Sequence, residues 1–213
     1  MSHLNTRSEG GLTTRRIEAL SDGVFAIAMT LLVLELHVPR IEVERAAAQL
    51  APALRALAPH LVTFMVSFVL LGTLWVGQHF QFHWVRRANR TLIWINLFFL
   101  MCISFLPFSA ALLSEYGANR HAVLVYGVNL LLAGLFLALS WRYAMHRGFV
   151  VQALSAAICR GIELRIWGGF AVYALSTILA FVDPRISLLG FVVVPVVYIL
   201  PGRVDRHLSR LDS

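Results

Sequence analysis

"EALSDGVFAIAMTLLVLEL", residues 18–36, decides the fold. No lysine or arginine interrupts it between Ala19 and Leu36. Its length is close to the roughly 20 apolar residues that cross a bilayer as a helix. Yet Asp22 sits in its first turns. A carboxylate in a membrane helix is costly, so it pairs with a partner or lines a pathway.

Working outward, comparable apolar runs recur along the chain. Of its 213 residues, 59% are hydrophobic and 14% charged. A soluble domain could not hide that much apolar surface. The expected class is therefore all-α, a polytopic membrane protein with six transmembrane helices. The spans are read at 17–37, 59–85, 91–113, 122–143, 164–181 and 186–200, the first stopped by Pro39 and the third holding Pro107. "DPR" at 183–185 makes a tight turn between the last two, because proline cannot continue a helix and presets a turn. Residues 1–213 form a single transmembrane domain without an internal repeat.

All 18 basic residues are arginines. With the N-terminus inside, only Arg40, Arg45, Arg55, Arg120 and Arg185 fall outside, leaving 13 in cytoplasmic segments. The positive-inside rule thus puts both termini in the cytoplasm, with 1–16 and 202–213 as cytoplasmic ends. The net charge of +7 is a topology signal, and no nucleic-acid partner is expected. "RIEVERAAAQLAPALRAL" at 40–57 spaces arginines among Ala and Leu at helical intervals. An external interfacial helix is expected over 40–58. "RRANR" at 86–90 reads as a topology anchor, and the polar N-terminus shows no cleavable leader.

Cys102 and Cys159 have no metal spacing and imply no disulfide framework. His79 and His83, four apart, share a face but lack further ligands nearby. No G-x-S-x-G or H-E-x-x-H pattern occurs, so neither an enzyme nor a cofactor is expected.

Stepping about 100° per residue around the first helix puts Gly23, Leu31, Leu34 and Val38 within about 40° of Ile27. Thr30 stands at the edge of this stripe, and Asp22 about 140° away. The carboxylate therefore faces another helix or another chain.

"RIEALSDGVFAIAMTLLVLEL" at 16–36 resembles the signature of the transmembrane-protein-175 family, the lysosomal potassium channels and their bacterial relatives. "LWVGQHFQFHW" at 74–84 is similar to the family's second-helix motif, with Trp75 and His79 in place. "INLFFLMCISFLPFSAALL" at 95–113 is similar to its third-helix motif, with Asn96. Leu20 departs from the pattern, standing where the motif has Phe.

The resemblance implies a potassium-selective cation channel of the cell inner (plasma) membrane, a homotetramer around a pore lined by first helices. Potassium is the permeant ion, and lipid and monovalent cations are the other partners. Ile27, Leu31 and Leu34 form the constrictions, with Thr30 adding hydroxyls to the wall. No "TVGYG"-like carbonyl loop occurs, so selectivity over sodium would be modest and arise from dehydration at apolar rings. Arg16, Ser21, Asp22, Trp75, His79 and Asn96 are expected to form the network that anchors the pore helix. A secondary transporter is the alternative, disfavoured by the lack of repeats.

Overall fold

The computed structural model describes residues 14–117, 119–151 and 156–199. Arg7 and most of 1–16, and the whole of 202–213, lie outside them. Among the described residues, seven α-helices follow one another: α1 (Thr14–Leu31), α2 (Ala46–Ala56), α3 (Ala58–Trp84), α4 (Arg90–Tyr116), α5 (Arg120–His146), α6 (Ala156–Leu179) and α7 (Pro184–Ile199). Among the described residues, five segments are long and apolar enough to cross a membrane: Thr14–Glu35, Ala58–Trp84, Arg90–Tyr116, Arg120–His146 and Cys159–Leu179. α7 has 16 residues, about 24 Å of helix.

Each boundary has a local cause. α1 tightens into a 3-10 turn over Leu32–Glu35, and the chain leaves helical geometry at Leu36. A helix continued to Pro39 would drive the proline ring into the Glu35 carbonyl, and the residue before proline avoids the α region. The first helix therefore ends at Glu35, two residues short of the expected His37. Asn89 caps α4 by accepting from the Leu92 N–H at 3.0 Å, and Asn119 caps α5 by accepting from His121 N–H at 2.9 Å. Gly117 and Gly148, at φ 54° and 64°, end these helices in a conformation that glycine adopts without strain. Asp183 accepts from the Arg185 N–H at 2.8 Å, with Pro184 as the first residue of α7.

α6 starts eight residues before the expected position 164. Arg160, Glu163 and Arg165 break the apolar window that sequence reading follows, but they do not break helical hydrogen bonding. α2 has no buried residue and leaves Leu50 and Leu54, four apart, open on one face.

A large core runs through the bundle. Phe25, Leu70, Leu71, Phe99, Ile103, Leu106, Tyr126 and Leu130 are buried together, with Phe191 packed on the ring of Tyr126. α1 packs on α3 and α4, while α5 packs on α4, α6 and α7. α5, α6 and α7 approach closely through small residues. A Cβ on Gly127 would run into the Thr177 hydroxyl and lie 3.0 Å from the Phe191 ring; one on Gly190 would run into Ser176. Such small-residue contacts suit a membrane bundle, where packing rather than exclusion of water holds helices together. Cys102 is buried and Cys159 half-buried, both as free thiols.

At the end of α3 and α5, Val85 and Val150 form an antiparallel bridge. Arg86 N–H donates to Phe149 O at 2.9 Å and Val151 N–H donates to Trp84 O at 3.1 Å. Asn89 donates to the Tyr143 hydroxyl at 2.7 Å. The 86–90 segment is thus a built joint between two helix ends as well as a cluster of charge.

Candidate functional site: the two faces of α1

α1 divides lengthwise. Ile17, Ser21, Phe25, Ala28 and Leu32 are buried, at the three- and four-residue spacing of one helical face. The opposite face is open: Leu20 is 49% exposed, Ile27 61%, Leu31 41% and Leu34 66%. Three-residue periodicity in the 3-10 turn eclipses positions i and i+3. Leu34 therefore stands in line with Leu31. Val38 lies beyond the helical residues, so the stripe ends at Leu34. Leu20, seven residues before Ile27, extends the stripe in the other direction. The position that departs from the family motif thus belongs to this open face.

Thr30 turns its hydroxyl back onto its own helix, donating to Ile27 O at 2.8 Å and Ala26 O at 3.1 Å. The bond masks the hydroxyl proton but leaves an oxygen lone pair facing outward.

The buried face carries a polar cluster. Ser21 Oγ donates to Ile17 O at 2.9 Å, accepts from Gln78 Nε2 at 2.8 Å and accepts from Asn96 Nδ2 at 3.3 Å. That uses its single proton and both lone pairs. Gln78 Nε2 also donates to Asn96 Oδ1 at 3.4 Å, closing a triangle between α1, α3 and α4. All three side chains are buried, Ser21 completely. One position on, Trp75 Nε1 donates to Asp22 Oδ1 at 2.8 Å. His79 stacks on Trp75 with ring centroids 5.4 Å apart.

Of the expected anchoring residues, Ser21, Asp22, Trp75 and Asn96 therefore meet through hydrogen bonds. His79 buttresses Trp75 by stacking and does not bond to Ser21 or Asp22. Arg16 is exposed and forms no ion pair with Asp22. Gln78 is the member that sequence reading passed over. Its signal was available: an uncharged amide three residues from Trp75, hence on the same side of α3.

At the other end of α1, Glu35 and His37 line a cavity of about 270 Å³ with His60 and Glu115. His60 Nε2 lies 3.7 Å from a Glu115 carboxylate oxygen. Two carboxylates and two imidazoles thus gather at this end of α1.

Residues 16–107, which contain both α1 and the polar cluster, match the family described as endosomal/lysosomal potassium channel TMEM175. A potassium channel of Streptomyces collinus is 35% identical over 178 residues, 81% of this chain and 85% of that one. A solved lysosomal potassium-selective channel TMEM175 homologue from Chamaesiphon minutus superposes with a TM-score of 0.77 at 32% identity, covering 88% of this chain and 96% of the homologue. The human protein named endosomal/lysosomal proton channel TMEM175 is 29% identical over 180 residues; that match covers 80% of this chain and 36% of the longer human one. Sequence, fold and the placement of the signature on α1 agree, and the chain is a membrane protein of the TMEM175 family, a family of ion channels and not of enzymes.

Proposed function

We propose that the chain is a potassium channel of the cell membrane, built as a homotetramer whose α1 helices line the axis. One chain supplies one such helix and cannot enclose a path, and a closed ring of identical chains is the economical solution. Each chain spans the membrane six times with both termini inside, and α2 lies on the outer interface through Leu50 and Leu54. The observation that carries this reading is the fixed rotation of α1. Ser21 and Asp22 tie it to α3 and α4, and that tie turns Ile27, Leu31 and Leu34 away from the chain's own core.

Rings of Ile27, Leu31 and Leu34 offer a cation no ligands. A narrow apolar ring empties of water and closes the path; a wider one passes an ion that has shed part of its hydration shell. Potassium holds water less tightly than sodium, so it crosses at a smaller desolvation penalty. Discrimination is modest, since no carbonyl cage replaces the lost water. Thr30 adds oxygen lone pairs to the wall beside Ile27.

Planar-bilayer recordings under opposed potassium and sodium gradients test the proposal. Unitary current steps with a reversal potential displaced toward that of potassium are expected. Slow saturable flux without unitary steps would favour a transporter and overturn it.

A further inference from the structure

A groove of about 580 Å³, lined by Trp75 but not by Ser21's partner Gln78, opens between α3, α5 and α6. Its volume is that of an ordinary ligand site. Gly72, Gly77, Gly134, Gly161 and Gly169 are among the residues that line it. Along α3 the groove reaches from Phe68 to Gln81, about 20 Å of helix. Nearly all of the wall is apolar.

Gln81 is the exception that needs explaining. It is 2% exposed, yet neither its amide nitrogen nor its amide oxygen has a hydrogen-bond partner. A buried amide left unpaired is destabilising, and such a group in a native protein marks a missing partner. Arg165 of α6 lines the same groove.

The two lie at similar depth. Gly77 is level with Leu137, which a Cβ there would touch at 3.5 Å; Gly134 is level with Phe170 at 3.6 Å. Counting about 1.5 Å per residue from these contacts sets Gln81 and Arg165 within one turn of each other, toward the end of α3 that leads to Trp84. Phe68 and Val69 fall at the opposite end. The groove is therefore polar and basic at one end and apolar along its length.

We propose that this groove holds an anionic phospholipid of the inner leaflet, one acyl chain lying along α3 and the phosphate at Arg165. Gln81 supplies its amide donor and acceptor to the glycerol-ester region. Basic pockets between membrane helices on the cytoplasmic side bind acidic headgroups in this way. The assignment rests on the orientation proposed above, with the end of α3 inside. It also gives the lipid a route to α1. Trp75 is a wall of the groove and, through Nε1, the hydrogen-bond donor to Asp22. An occupant that presses on the indole acts on the rotation of the pore helix.

Native mass spectrometry of the full chain, released from detergent and titrated with phosphatidylglycerol or phosphatidylcholine of identical chains, tests the assignment. Phosphatidylglycerol adducts are expected to exceed phosphatidylcholine adducts about fivefold, the factor that one arginine near an acidic headgroup supplies. Arg165→Gln should bring the two lipids to parity and Arg165→Lys should keep the preference. Gln81→Leu should lower phosphatidylglycerol occupancy without lowering the melting temperature in lipid-free detergent. Equal binding of both lipids by the native chain, or an undiminished preference in Arg165→Gln, would overturn the proposal. So would efficient disulfide cross-linking between subunits through Phe170→Cys, which would give the groove to a second copy of the chain. Adduct masses are read without any current, so a chain that binds the lipid and conducts nothing would refute the channel reading alone.

Discussion

The indole nitrogen of Trp75 donates to the Asp22 carboxylate at 2.8 Å, joining residues 53 positions apart and fixing α1 against α3. A hydrogen bond to a charged acceptor contributes about 1.5–3 kcal/mol when buried. Asp22 is exposed in the single chain, which reduces that figure to about 1 kcal/mol. Trp75→Phe keeps an aromatic ring for His79 to stack on and removes the donor. We expect a loss of about 1 kcal/mol in detergent unfolding, together with a broadened distribution of single-channel amplitudes as α1 gains rotational freedom. Unchanged amplitudes would separate the hydrogen bond from pore geometry.

The triangle of Ser21, Gln78 and Asn96 makes a sharper prediction. Gln78→Leu leaves a buried Asn96 oxygen and a Ser21 lone pair without their donor, at about 1–3 kcal/mol. Adding Ser21→Ala and Asn96→Leu removes the stranded groups. The triple variant should therefore lose less than the sum of the single losses, as in any coupled network. Strict additivity in thermal melts would mean the three side chains act independently.

Ile27→Asn separates the fold from the path. Ile27 is 61% exposed in the single chain, so the substitution should leave the fold of each chain nearly unchanged. In the proposed tetramer it puts four amides at the constriction, wets it and moves the potassium-to-sodium permeability ratio toward unity. The ratio comes from bi-ionic reversal potentials; an unchanged value would assign the narrow point elsewhere.

Gly127→Ala tests the small-residue seam. Its Cβ would collide with Thr177 and crowd Phe191, and overpacking of this kind costs about 1–3 kcal/mol. Gly168 has nothing within 4 Å of such a Cβ. Gly168→Ala should be neutral or stabilising by up to about 1 kcal/mol, since alanine is the better helix former. Chemical denaturation of the two variants side by side reads the difference.

Much of this architecture could be read from the chain. Helix-period spacing separated Ile27, Leu31 and Leu34 from Asp22, and the structure puts them on opposite sides of α1. The end of α1 was harder to place, because the effect of Pro39 reaches back to the Glu35 carbonyl and converts the last turn to 3-10 geometry. The start of α6 was hidden by Arg160, Glu163 and Arg165, which lower hydropathy without opposing a helix. Gln78 was missed for a different reason. A neutral amide gives no charge signal, and its partners Ser21 and Asn96 lie 57 and 18 positions away. The groove at Gln81 could not be foreseen, because residues of three helices far apart in the chain line it.

The eclipsing of Leu31 and Leu34 has a mechanical corollary. Leu31 sits in the last α-turn and Leu34 directly in line with it, so both answer to a single azimuth of the same rod. In the proposed tetramer, any twist of α1 widens or narrows both levels in step, and neither gate can move while the other stays still. Two barriers in series then switch as one, and partial twisting should yield graded currents instead of a doubly latched shut state.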